Sequence, residues 1–198
     1  MRTAVRRPAL LAFLSVAILA RLAGAEPWSG EGVFDTSGRI VRFYPQGLSA
    51  ANTSPSYATE RIIPAAGEVK GDSDIAPAFN SSPASGASPA VFSVRFTVGK
   101  GTSLYGTGEI GGPLLRNGRT STLWNTDAYG YKPEAESLYQ SHPWVLAVRA
   151  DGTAFGVLAD TTWRTKIDLT DGITFKGEGA PFPVYVVSGA SPQEVMEG

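Results

Sequence analysis

Cysteine is absent from this 198-residue chain, and histidine occurs once. Without a thiol there is no disulfide framework, no lipoprotein-type anchor and no thiolate metal site. The single imidazole, His142, stands directly before Pro143 in an expected loop. That is a poor setting for a Ser-His-Asp triad, which needs a histidine held by a carboxylate. One histidine also supplies at most one nitrogen to a metal. It reads as a surface or packing residue, and neither metal ligands nor a cofactor are expected. Charged residues are only 18% of the chain, and no basic cluster of the kind that neutralises phosphates is present, which argues against a nucleic-acid partner.

Long apolar runs are missing as well. The longest, Ala9 to Ala20, is 12 residues and is stopped by Arg21, short of the ~20 needed to cross a bilayer. Three arginines precede it, and Ala23-Gly24-Ala25 follows it, so residues 1–25 read as a cleaved export signal. The Arg6-Arg7 pair leaves the export route open. The expected location is secreted or periplasmic, with no membrane association after cleavage. Residues 1–25 hold four arginines and no acid, so the chain without them carries 13 basic and 18 acidic side chains, a formal charge of −5.

What the chain has in quantity is turn formers, 14 prolines and 23 glycines. Scattered as they are, they leave little room for long helices and favour short strands. Residues 38–44 and 92–98 read as strands, the second with clean period-two alternation. Between them, residues 71–90 are rich in Ser, Ala, Pro and Gly, and read as a low-complexity surface loop. From Thr120 onward strand signals follow at 121–124, 144–149, 154–159, 163–169, 173–178 and 183–187. Asp151-Gly152 and Asp171-Gly172 supply tight-turn chemistry between them. The expected fold class is all-β, an antiparallel β-sandwich over residues 26–190. Ser191-Pro192-Gln193-Glu194 then carries a helix-start signal. Residues 191–198 are expected either to begin a helix or linker toward a further domain, or to form a turn packed on the sandwich.

Two chemical readings fail on spacing. The run Gly106 to Gly112 is rich in glycine but lacks the Lys-Ser/Thr ending of a phosphate loop and any βαβ setting, so turn geometry explains it better. Glycoside hydrolysis needs two carboxylates about 5 to 9.5 Å apart, and no spacing among Asp127, Glu134 and Glu136 pairs two of them, so no catalytic residue is assigned. The stretch from Trp124 to Tyr131 (WNTDAYGY) differs in kind. It mixes indole and phenol rings with Asn, Thr and Asp in a pattern that no strand period explains. Sugars call for that mixture, since their C–H faces stack on rings while their hydroxyls need fixed acceptors. The residues alone fit a sugar-binding loop and an ordered structural turn equally well.

Several segments then line up with one family. Leu104-Tyr105-Gly106-Thr107-Gly108-Glu109, Gly112 to Arg119, Leu123 to Tyr131, Leu138 to Pro143, Gly156 to Asp160 and Gly189 to Val195 together resemble the N-terminal domain of glycoside hydrolase family 31, the α-glucosidase and α-xylosidase family. The likeness runs over residues 91–197 and is loose over 30–70. It implies a β-sandwich of the galactose-mutarotase-like type, packed on a (β/α)8 barrel that carries both catalytic aspartates. It also implies that a sandwich loop lends an aspartate to the sugar pocket. Asp127 matches that position, with Thr126, Ala128 and Tyr129 shaping the loop. Glu109 and Arg119 match recurring positions, where a salt-bridge or turn role is expected. The implied partners are an α-linked oligosaccharide or glycoside and the barrel of a longer parent, the chain itself being an inactive fragment. The alternative is a free-standing carbohydrate-binding or structural sandwich. Mutarotase activity, which needs histidines beside a glutamate, does not suit a chain with one histidine.

Overall fold

The computed structural model describes residues 28–32, 39–49, 52–53, 75–85 and 90–198. The expected export signal at 1–25 lies outside them. The described residues form eleven strands and one short helix. The six-stranded sheet runs β1 (Trp28–Gly32), β2 (Ile40–Pro45), β11 (Val184–Gly189), β8 (Ala154–Ala159), β7 (Ser141–Val148), β5 (Ser103–Gly108). The five-stranded sheet runs β3 (Ala78–Ser82), β4 (Val91–Phe96), β10 (Ile173–Glu178), β9 (Thr165–Asp168), β6 (Thr120–Leu123). Every pairing is antiparallel.

The core follows from alternation. On β4, Phe92, Val94 and Phe96 are buried while Val91, Ser93 and Arg95 are half-buried. Across the gap the other sheet contributes Val41, Phe43, Val145, Val157, Val184 and Val186 to the same cluster. Each such side chain, fully buried, stabilises the fold by about 1.5–3 kcal/mol. The outer faces differ. Lys166, Asp168 and Lys176 stand on the five-stranded sheet, with Lys176 Nζ 3.9 Å from Asp168. The outer face of the six-stranded sheet is apolar, with Trp144, Leu146 and Val148 packed beside Ala154 and Val187. That face also holds a buried ion pair. Arg42 Nη2 donates to Asp160 Oδ2 at 2.6 Å, and its guanidinium lies 4.9 Å from the Tyr44 ring centroid and 5.1 Å from that of Tyr185. Burial pushes the Tyr185 phenol up to about 12.

Both Asp-Gly turns form. Gly152 and Gly172 take φ of 89° and 87°, and Asp151 Oδ1 accepts from Thr153 N at 3.0 Å and from its hydroxyl at 2.7 Å. The expected loop over 71–90 is corrected in part. Residues 71–74 and 86–89 lie outside the described ones, but within it Ala78–Ser82 is a strand. Its anchor is Phe79, fully buried and stacked on Phe92 with centroids 5.8 Å apart. One well-placed ring outweighs a turn-rich composition. The glycine-rich run is in part a strand as well, since β5 reaches Gly108. The register against β7 shifts between Gly106 and Gly108, and Thr107 there takes a left-handed φ of 72°. The strand expected from Trp163 begins at Thr165.

The helix signal is realised as α1 (Pro192–Glu197), with Ser191 Oγ accepting from Glu194 N at 3.3 Å. Glu194 reaches one residue further back than a standard capping box, accepting from Ala190 N at 3.0 Å. Val195 is buried against Ala154 and Val187, so tertiary packing sustains a helix too short to persist alone.

Candidate functional site

The chain crosses between the sheets twice in succession, from β5 to β6 and from β6 back to β7. These two connections run side by side. Glu109 N donates to Gln140 O at 2.9 Å and Gly111 N to Ala135 O at 2.9 Å. Arg119 Nη2 donates to the carbonyls of Gly111 at 3.0 Å and Pro133 at 2.9 Å. Arg119 therefore has the turn role rather than a salt bridge, clamping one connection to the other. Arg116, buried beneath, points Nη1 at Pro113 O at 2.5 Å. Desolvation first, then the neighbouring Arg119, lowers its pKa.

The 124–131 loop hangs from this clamp. Thr126 N donates to Leu138 O at 2.7 Å, and Leu138 is fully buried. The Thr126 and Ser137 hydroxyls both donate to Trp124 O, the former at 2.9 Å. Thr122 N donates to Glu136 O at 2.8 Å, while the Glu136 carboxylate takes the Thr120 hydroxyl at 2.5 Å and stands 3.7 Å from Lys166 Nζ. The root of the loop is thus tied to residues 136–138, and its tip is left to solvent.

Thr126 turns its hydroxyl back into the loop, and Ala128 is half-buried. Asp127 is exposed, and among the described residues its carboxylate has no hydrogen-bond or ionic partner. Tyr129 is fully exposed, Trp124 57% and Tyr131 55%. Of the eight exposed large apolar side chains among the described residues, six (Leu114, Leu115, Trp124, Tyr129, Tyr131, Tyr139) lie in these two connections. Exposed apolar side chains are thus gathered in two adjoining connections, unlike the scattered exposure usual on a protein. Glu109, Gln140 and His142 line a shallow concavity beside them with Tyr105 and Leu114. Sequence reasoning missed the staples Ser137 and Glu136, which no motif marks. No group of three or more metal-ligating side chains occurs among the described residues.

A sandwich whose cross-over loops carry this surface can now be set against known proteins. Residues 35–168 match the glycosyl hydrolase 31 N-terminal galactose mutarotase-like domain. The chain belongs to glycosyl hydrolase family 31. Alpha-glucosidase 2 of Bacillus thermoamyloliquefaciens is 43% identical over 97 residues, which are 47% of this chain and 12% of that enzyme. The alpha-glucosidase of Hordeum vulgare is 37% identical over 100 residues, 48% of this chain and 11% of that protein. The solved Flavobacterium johnsoniae GH31 dextranase in complex with glucose covers 88% of this chain with 27% of its own length, at 15% identity and a TM-score of 0.57, a likeness of fold. The stretch that aligns is about half of this chain and about an eighth of the length of these curated relatives. The sandwich is of the galactose-mutarotase-like type that the sequence motifs imply.

Proposed function

We propose that this domain is the sugar-contacting N-terminal part of an exported α-glucosidase-like enzyme that hydrolyses terminal α-glycosidic bonds. Asp127 accepts hydrogen bonds from substrate hydroxyls, and Trp124, Tyr129 and Tyr131 present ring faces around it. A (β/α)8 barrel elsewhere in the enzyme completes the pocket and supplies both catalytic aspartates, so the chain alone binds or positions sugar without cleaving it. The observation that carries this reading is the Asp127 carboxylate, without a partner among the described residues, on a loop whose root is hydrogen-bonded at Trp124 and Thr126. A carboxylate held out on a rigid support loses little entropy when it meets a ligand. The alpha-glucosidase names of the relatives agree with the substrate class.

The test is Asp127→Ala in the longer enzyme. Losing hydrogen bonds to a charged acceptor removes about 1.5–3 kcal/mol, so kcat/KM should fall ~10- to 150-fold with an unchanged melting temperature. Normal kinetics in a folded variant would refute the assignment. Turnover of an aryl α-glucoside by the isolated chain would refute its inactivity. Export rests on the pattern of residues 1–25, and a mature N-terminus other than Glu26 would count against that cleavage site.

A further inference from the structure

Trp163 is 63% exposed and belongs to neither connection that carries the other rings. Its place is nonetheless fixed. Its backbone N–H donates to Thr161 Oγ1 at 3.2 Å, and its backbone carbonyl accepts from Thr165 Oγ1 at 3.0 Å. Thr161 and Thr165 are both buried. The indole lies against Gly179, where an added Cβ would stand 3.2 Å from the ring. Gly179, just past β10, has φ of 131°, a conformation other residues rarely take. Bare backbone therefore supports one side of the ring, while most of its surface stays open to solvent. Among the described residues the indole N–H has no acceptor.

Strand register shows where this ring stands. β6 and β9 pair with Leu123 opposite Thr165. The Asp127 loop and Trp163 therefore leave the same end of the five-stranded sheet on neighbouring strands, which lie about 4.8 Å apart. A large ring held in water on a rigid support, with its donor unused, suits a ligand that is apolar on its faces and hydroxylated at its edges.

We infer that Trp163 is a second stacking platform, which holds an outer sugar ring of an extended α-linked oligosaccharide whose terminal ring meets the Asp127 loop. This rests on the reading of that loop as sugar-contacting and deepens it: the ligand is a chain of several sugars, and Trp163 selects for length.

The experiment compares two substrates of the longer enzyme, an aryl monoglycoside and a heptasaccharide of the linkage it cleaves, in Asp127→Ala, Trp163→Ala and Trp163→Phe variants checked by thermal melting. Trp163→Ala should raise KM for the heptasaccharide ~10-fold, within the range for a lost aromatic contact, and leave the monoglycoside unchanged. Trp163→Phe, which keeps a ring face, should recover most of the loss and also serves if the alanine variant does not fold. Heptasaccharide kinetics that stay normal in the folded variants, or an equal loss on both substrates, overturn the platform. Asp127→Ala should impair both substrates. If it impairs neither while Trp163→Ala still raises KM for the heptasaccharide, the reading of the Asp127 loop fails and the platform survives it.

Discussion

Removing one member of the Arg42–Asp160 pair should be among the most damaging single changes in the domain. The side chains are 4% and 1% exposed and meet at 2.6 Å. The guanidinium is flanked by the Tyr44 and Tyr185 rings and donates to the Tyr44 hydroxyl at 3.1 Å. Losing one member of a buried pair costs about 3–5 kcal/mol. For a domain of this size that is roughly 6–20 °C in Tm. The double variant Arg42→Met/Asp160→Ala should cost less than Arg42→Met and Asp160→Ala summed, because the second change no longer breaks an ion pair. Calorimetry at pH 7 on the wild type, Arg42→Met, Asp160→Ala and the double variant measures this. A loss below about 1 kcal/mol for Asp160→Ala, or strict additivity, would refute the reasoning.

Three other outcomes follow from local geometry. Gly156→Ala places a Cβ 1.9 Å from the Trp144 ring, and overpacking of this kind should cost about 1–3 kcal/mol in chemical denaturation. Ser191→Ala removes the cap acceptor of α1 and should cost ~1 kcal/mol, with amide exchange rising at Glu194. Asp168 accepts the Thr170 hydroxyl at 2.6 Å, and that bond is the chief cause holding its carboxyl below the usual value. Its stabilisation is therefore present above about pH 4 and is lost as pH falls through the lowered folded-state value. Asp168→Asn should flatten the acid limb of a stability-against-pH curve, and an unchanged limb would contradict the assignment.

The parts of the fold that were legible in sequence are those where a local rule and the tertiary demand agree. β4 alternates because one face is core and the other is half-solvated. β8 and β10 begin and end where the residues 154–159 and 173–178 indicate, because Asp-Gly pairs or polar joints flank them. β3 escaped because its single strong signal, Phe79, sits among Asn and Ser, and averaged composition hides one ring. β5 escaped because Gly106 and Gly108 weaken any strand propensity, and only pairing with β7 makes it a strand. At the site, the odd mixture at 124–131 was visible. The anchors that make it a support were not, since the Ser137 hydroxyl and the Leu138 carbonyl meet backbone groups of Trp124 and Thr126 in bonds that no sequence motif records. Trp163 read as strand because an aromatic before an alternating run is ordinarily core. It packs instead on Gly179, a residue 16 positions away at another strand's end.

The most direct test of the central claim is a structure of the longer enzyme with a sugar bound in its pocket. An Asp127 carboxylate oxygen should stand about 2.6–3.2 Å from a sugar hydroxyl, reached by the loop without rearrangement of its Thr126–Leu138 anchor. A sugar-filled pocket with Asp127 turned to solvent and bonded to nothing on the ligand would contradict the account.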